Sequence, residues 1–193
     1  MVFAKRTTCC AKAGYTLVEV LVVVSIMGIL SAMGVAGLQG AVANARVKDA
    51  AVNTAAFVER VANLSNQLST VLCLKVASGN HQKIYVVRDD DEQDCTTPSD
   101  GIVDSLVLDS PNRFVEKDNG CPVMGDWLSS YGVFKPRMGL SAMPREGGVC
   151  IRYGNNSVYG AVRKDAGKNR AIPMWKVTDD ATQNNGWSNW TEL

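Results

Sequence analysis

The sequence predicts an α+β protein in which one long N-terminal helix packs against an antiparallel β-sheet head. Three observations predict this class: an apolar run over residues 15–38, a helical repeat of apolar residues that continues to about Leu68, and short β-branched stretches divided by turn residues after it. No proline interrupts the predicted helix, because the first proline of the chain is Pro98. A helix followed by a series of strands is typical of the α+β class.

The apolar run is long enough to cross a membrane. At about 1.5 Å of rise per helical residue it exceeds the roughly 30 Å hydrocarbon core of a bilayer. Lys5, Arg6 and Lys12 precede the run without any acidic residue among them. The positive-inside rule therefore keeps the N terminus in the cytoplasm. We expect a single-pass membrane protein whose head lies outside the cytoplasm.

The cleavage site expected in this chain lies before the apolar run. A secretory signal peptide places its small residues and its cleavage site after the apolar stretch, so that cleavage removes the stretch. Here the junction Gly14–Tyr15 comes directly before the run. Cleavage at this junction removes residues 1–14 as a leader and keeps the membrane segment on the mature protein.

The junction segment GYTLVEVLVVV, residues 14–24, resembles the leader junction of type IV pilins and pseudopilins. The resemblance combines a basic leader, a glycine at the cut, a glutamate four residues after Tyr15 and an uninterrupted apolar helix. It implies cleavage after Gly14 by a prepilin peptidase and N-methylation of Tyr15. Most family members carry phenylalanine in place of Tyr15. Many major pilins have a proline midway along the helix, where this chain has only glycines: Gly28, Gly34 and Gly37.

Glu19 is the single charge inside the apolar segment. An ionised carboxylate within hydrocarbon costs at least a few kcal/mol and needs a partner. The resemblance implies that Glu19 pairs, in a packed filament, with the positively charged N-terminal amine of a neighbouring subunit. The alternative is a local role, in which Glu19 stabilises the N terminus of its own helix through the helix dipole.

The resemblance also implies a function. The chain is expected to be a structural subunit of a type IV pilus or pseudopilus. On this resemblance it is anchored in the bacterial inner membrane with its head in the periplasm, and it then assembles with other pilin or pseudopilin subunits into an extracellular or periplasmic filament. In outline it is similar to minor pilins and to minor type II secretion pseudopilins of the H type, whose strands follow the helix directly. A minor pilin that binds DNA or a surface is a further alternative. Pilus and type II secretion share this leader and helix, so both stay open.

Four segments are predicted along the chain: the leader at 1–14, the membrane helix at 15–38, an amphipathic continuation of the helix at 39–69, and a β-rich extracytoplasmic head at 70–193. The amphipathic segment should bury its apolar stripe against a sheet, because a helix cannot bury such a stripe alone. Gly79-Asn80 and Gly154-Asn155-Asn156 predict hairpin turns. The predicted strands lie at 70–77, 83–88, 102–108, 132–134, 148–153, 158–163 and 172–177, with loops at 89–100, 111–125 and 136–147.

Four cysteines remain after cleavage of the leader, which contains Cys9 and Cys10. An extracytoplasmic location favours disulfides between them, and the absence of any paired C-x-x-C disfavours a zinc site. Four cysteines allow three connectivities. We predict sequential pairing, because each bridge then ties a strand to its adjoining loop: Cys73–Cys95 and Cys121–Cys150.

The sequence lacks the motifs of an enzyme. Its single histidine, His81, sits beside a predicted turn, and no Gly-rich phosphate loop, H-E-x-x-H or G-x-S-x-G occurs. We therefore predict a protein that is not an enzyme and has no cofactor. Loss of the three leader bases changes 20 bases against 19 acids into 17 against 19, a net charge of −2. That balance disfavours nucleic-acid binding over the whole surface but leaves room for a local patch.

Two local charge clusters suggest binding hypotheses. Residues 89–94 concentrate carboxylates that could hold Ca²⁺, but the EF-hand spacing and glycine are missing, so a solvated acidic turn is favoured. The densest basic stretch, close to Trp175, is a candidate for DNA binding through phosphate contacts and base stacking, with a solvated hairpin face as the favoured alternative. Its residues are Arg163, Lys164, Lys168, Arg170 and Lys176, interrupted by Asp165.

Two tryptophans lie in the polar C-terminal tail, Trp187 and Trp190. Exposed amphipathic rings suit contacts with other subunits or with a surface. The rings could equally cover the sheet, and the sequence does not separate these two interpretations.

Overall fold

A computed structural model of the chain describes residues 15–90, 95, 101–115, 127, 130–139, 147–155, 158–164, 170–177 and 190–193. Its contacts divide the chain into two compact units, Met1–Gly40 and Ala41–Leu193. One long helix is followed by antiparallel strands, which confirms the predicted α+β class.

Helix α1 runs from Leu17 to Leu68. No proline interrupts it, and it ends where Ser69 adopts a left-handed φ of 55°, a common way for a helix to terminate. The Ser65 hydroxyl near this end donates to the carbonyl oxygens of Thr70, at 2.8 Å, and Phe134, at 3.1 Å. The end of α1 is thereby fixed to the strands that follow.

The strands of the described residues form two sheets. One has the order β3-β2-β1-β5 and the other the order β4-β6-β7-β8-β9, and every neighbouring pair is antiparallel. Their bounds are β1 Val71–Val76, β2 Lys83–Asp89, β3 Ile102–Val107, β4 Asn112–Val115, β5 Gly132–Phe134, β6 Gly148–Tyr153, β7 Val158–Lys164, β8 Ala171–Val177 and β9 Thr191–Glu192.

The seven strands expected from the sequence are present, and so are the two hairpins. Gly79, with φ of 80°, turns β1 into β2, and Gly154, with φ of 54°, follows β6 before β7. Two details of the prediction were wrong. The head contains two sheets rather than one, and strands β4 and β9 were placed in a loop and in the tail. Both missed strands are short, with four and two residues, so no alternating pattern of apolar and polar residues marked them.

The core of the head lies between the C-terminal half of α1 and the two sheets. The predicted apolar stripe of α1 is buried there, with Val47, Val58 and Val61 at most 1% exposed. Large rings from the sheets and one loop fill the space against this stripe: Phe114, Trp127 and Phe134. Burial of this stripe against strands is what the amphipathic pattern requires.

Gly160 on β7 lets α1 approach the sheet closely. A Cβ atom at this position would lie 2.9 Å from Val47 Cγ1, 3.1 Å from Ala51 Cβ and 3.1 Å from the Val47 carbonyl oxygen. Because one of these atoms belongs to the helix backbone, the clash cannot be relieved by a side-chain rotation alone. Contact between α1 and β7 therefore depends on the absence of a side chain at Gly160.

We expect Gly160→Ala to destabilise the head by about 1–3 kcal/mol, the usual cost of overpacking a core. The measurement is thermal or denaturant unfolding of the detergent-solubilised chain, followed by circular dichroism. Gly101→Ala is the matched control, because a Cβ at Gly101 meets no atom within 4 Å. Equal stability of the two variants would contradict close packing at Gly160.

Cys73 and Cys95 form a disulfide with a Cα–Cα distance of 5.6 Å, in agreement with the predicted pairing. The Cys95 backbone N–H donates to Asp89 Oδ2 at 2.8 Å, which holds the bridged residue beside the end of β2. Cys150, on β6, is also disulfide-bonded. Its partner lies outside the described residues, as does Cys121, so the pairing of these two stays a prediction.

Peptide mapping of the chain under non-reducing conditions should yield a peptide that joins Cys121 to Cys150, besides the one that joins Cys73 to Cys95. Each bridge is expected to stabilise the head by roughly 3 kcal/mol in the chain-entropy model, so reduction should lower the unfolding temperature. A free thiol at Cys121 would refute the predicted second bridge.

Candidate assembly site at the start of the helix

The N-terminal half of α1 exposes a continuous apolar surface. Every described side chain from Tyr15 to Val42 is exposed, and the large apolar ones include Leu17 at 81% and Leu38 at 65%. Among the described residues α1 is the one helix long and apolar enough to cross a membrane. Apolar surface on this scale is covered by lipid or by other proteins. The apolar helix and its position support single-pass membrane anchoring.

Thr16 caps the start of α1. Its hydroxyl Oγ1 accepts a hydrogen bond from the backbone N–H of Glu19 at 3.2 Å, and its carbonyl accepts one from the N–H of Val20 at 3.3 Å. A side-chain oxygen that accepts from one of the first helical N–H groups is the normal function of an N-cap residue. Tyr15 and Thr16 themselves are not helical, so the helix begins two residues after the junction that the sequence predicts to be cut.

Glu19 lies in the first turn of α1 and is exposed. Within the part of the chain that the structure describes, its carboxylate has neither a hydrogen bond nor an ion pair. Tyr15, the predicted mature N terminus, is 82% exposed, while Gly14 and the leader lie outside the described residues. The start of α1 thus presents one carboxylate on an otherwise apolar surface. A carboxylate in hydrocarbon needs a cationic partner.

Sequence reasoning missed Thr16 as a contributor to this site. The spacing Thr16-x-x-Glu19 before an apolar run is the signature of a capping box. That signal is present in the sequence and would have identified the cap.

One face of the half-buried Trp175 ring, which lies near the basic stretch in sequence, is covered by a residue of α1. Lys48 Nζ of α1 lies 3.6 Å from the centroid of that ring, so one face of the indole is occupied by the protein's own ammonium group. Arg170 is exposed, and Lys176 on β8 is half-buried. Arg163 and Lys164 lie on β7 without described side chains, and Lys168 lies outside the described residues. One face of the Trp175 ring is therefore used for packing against α1, and DNA binding by the basic stretch stays a hypothesis.

Two carboxylates of the acidic cluster at residues 89–94 make contacts within the protein. Asp89 is 3% exposed and accepts the Cys95 N–H, and Asp90 forms an ion pair with Arg88 at 2.7 Å. The rest of the cluster, residues 91–94, lies outside the described residues. Asp89 lies close to the sulfurs of Cys73 and Cys95, but these are bonded to each other and offer no thiolate to a metal ion.

His81 and Trp190 occupy positions that need no binding or catalytic role to explain them. His81 is exposed beside the β1–β2 turn, as expected for a solvated histidine. Trp190 is half-buried against a small cluster on the β4–β6–β7 face, which favours the interpretation that it covers the sheet. Trp187 lies outside the described residues.

Tyr85 is the one described group whose pKa is clearly shifted. Burial, together with a hydrogen bond and electrostatic interaction with Tyr131, raises the pKa of its phenol to about 12. Lys75 Nζ lies 4.7 Å from the centroid of the Tyr131 ring. Tyr85 and Tyr131 both pack against the small buried cluster that contains the Cys73–Cys95 disulfide.

We expect the chain to show no strong DNA binding. We also expect Arg163→Ala and Arg170→Ala to leave its DNA affinity unchanged. The physical reasons are the net charge of −2 after processing and the occupied face of Trp175. A gel-shift titration of the detergent-solubilised chain at two salt concentrations measures this. Tight, salt-sensitive binding that is lost in both variants would contradict the expectation.

The comparison with known families identifies the same N-terminal region. The model of the prokaryotic N-terminal methylation motif matches residues 9–35, which include Gly14, Tyr15, Thr16 and Glu19. No curated protein and no solved structure matches the chain. The motif implies processing by a prepilin peptidase and assembly with other pilin subunits. This motif overlaps the start of a long apolar helix that is followed by an antiparallel β head, and in this respect the chain is similar to type IV pilin-like proteins.

Proposed function

We propose that the chain is a structural subunit, of the minor class, in the filament of a type IV pilus or of a type II secretion pseudopilus. The observation that carries the proposal is the start of α1, where one carboxylate without a partner in the described chain stands on an exposed apolar surface. Such a helix is suited first to a bilayer and then to the apolar interior of a filament, because both cover the same surface.

The proposal gives each residue of the junction a role. A prepilin peptidase cuts after Gly14, and Tyr15 becomes the N-methylated first residue of the mature chain. The new N-terminal amine carries a positive charge, and in the membrane it lies four residues ahead of Glu19, at the headgroup level. The head remains on the periplasmic side, where an oxidising environment allows the Cys73–Cys95 disulfide.

Glu19 is proposed to pair with the amine of a neighbouring subunit during assembly. When the helix leaves the headgroup region for the filament interior, an unpaired carboxylate costs at least a few kcal/mol. Pairing with a neighbour's amine removes two isolated charges at once, and only a neighbour in the correct axial register can do so. The pair therefore favours one stagger between subunits over others.

We expect Glu19→Gln to leave membrane insertion intact and to reduce incorporation into filaments strongly. Insertion should not suffer, because the substitution removes a charge from the apolar segment. Incorporation should suffer, because the neighbour's amine is left unpaired in an apolar surrounding. The measurement is the fraction of chain recovered in sheared filaments relative to the membrane fraction, in the native host.

Glu59→Gln is the matched control for this experiment, since Glu59 is an exposed glutamate on α1 within the unit that forms the head. It should incorporate like the wild type. Normal incorporation of Glu19→Gln would refute the pairing role.

Deletion of the gene distinguishes a type IV pilus from a type II secretion pseudopilus. Loss of pilus-dependent behaviour assigns the subunit to a pilus, and loss of protein secretion assigns it to type II secretion.

A further inference from the structure

Thr16 caps the helix that carries Glu19, and we propose that this cap keeps the Glu19 carboxylate available to a neighbouring subunit by preventing it from pairing within its own chain. The inference rests on the Glu19 pairing proposed above and adds a positioning residue to it. Thr16 needs no contact with the neighbour for this role, because it acts through the path of the backbone ahead of Glu19.

The geometry at the helix start is half of a capping box. In a complete box the threonine hydroxyl accepts the N–H of the glutamate, and the glutamate carboxylate accepts the N–H of the threonine. The first bond is present, from Glu19 N–H to Thr16 Oγ1 at 3.2 Å. The reciprocal bond is not among those formed by the described residues. Thr16 therefore caps the helix while the Glu19 carboxylate stays uncommitted.

The competitor for this carboxylate is the chain's own N terminus. After cleavage the amine belongs to Tyr15, four positions before Glu19. Residues four apart on one helix lie on the same face and pair readily. If the helix extended back to Tyr15, the amine and the carboxylate of one chain would face each other, and the charge needed for assembly would be neutralised within the monomer.

The cap opposes this extension. An N-cap residue has non-helical backbone angles, and both Tyr15 and Thr16 lie outside the helix in the structure. We infer that the chain before Leu17 leaves the helical path, so that Tyr15 is not held over Glu19. Alanine at position 16 would remove the hydroxyl acceptor and favour helix instead, because alanine is the strongest helix former. The equilibrium would move toward pairing within the chain.

The expected effect is measurable. Loss of a threonine cap changes a helix-start equilibrium by about fivefold, so Thr16→Ala should lower filament incorporation by about that factor. Thr16→Ser retains the acceptor oxygen and should incorporate almost like the wild type. Ser25→Ala is the matched control, since the Ser25 hydroxyl donates to the Leu21 carbonyl at 2.8 Å within the same apolar segment but caps no helix end.

A second readout separates this role from general weakening of the helix. Carbodiimide cross-linking of the processed monomer in its membrane joins the Tyr15 amine to the Glu19 carboxyl as an amide, with loss of one water, when the two meet within a chain. Mass spectrometry of the N-terminal peptide detects the product. Thr16→Ala should increase this intrachain product by about fivefold, Thr16→Ser should not, and Glu19→Gln should abolish it.

The outcomes are distinct. Lower incorporation of Thr16→Ala together with more intrachain product, and rescue of both by serine, supports the proposal. Lower incorporation without more intrachain product overturns it, and so does normal incorporation of Thr16→Ala while Glu19→Gln is defective. Failure of the pairing itself has a different signature, namely normal incorporation of Glu19→Gln, and a block in leader cleavage of Thr16→Ala would assign Thr16 to the peptidase instead.

Discussion

The free-energy cost of placing one carboxylate in an apolar segment limits the environments in which the start of α1 is stable. Glu19 stands on the exposed apolar surface of α1, and its carboxylate has no partner among the described residues. In the membrane it can stay near the headgroups, because it lies in the first turn of the helix. In the proposed filament that position is lost, and the carboxylate needs a cation. Under the proposal, leader cleavage creates an amine at Tyr15, and each neighbouring subunit would carry an identical amine that could serve as this cation.

In the head, close packing and hydrogen bonds hold the C-terminal half of α1 against the sheets. The C-terminal half of α1 packs so closely on β7 that Gly160 has no room for a side chain, and Lys48 of α1 covers the ring of Trp175 on β8. Ser65 fixes the end of the helix to the backbone of β5. Within this unit the helix is part of the core rather than an appendage of it.

Sequence predicted the features that depend on neighbouring residues. The apolar run, the position of Glu19, the end of α1 near Leu68 and the two glycine turns all follow from local patterns, and each is present. Features that depend on remote pairing were missed. Strand β4 is specified by its alignment with β6, and the covering of Trp175 by Lys48 joins residues far apart in the chain. Neither leaves a periodic signal. The Thr16 cap is a local signal that was present and overlooked.

The N terminus of the mature chain is the most direct test of the interpretation, because the proposed pair needs a free amine at Tyr15 and a helix that is still attached to it. N-terminal sequencing and intact-mass measurement of the protein from native membranes determine it. The predicted result is a chain that begins with N-methylated Tyr15 and retains residues 15–38. A mature chain that begins near Ala36, as ordinary signal peptidase would produce, would lack Glu19 and contradict assembly through this site.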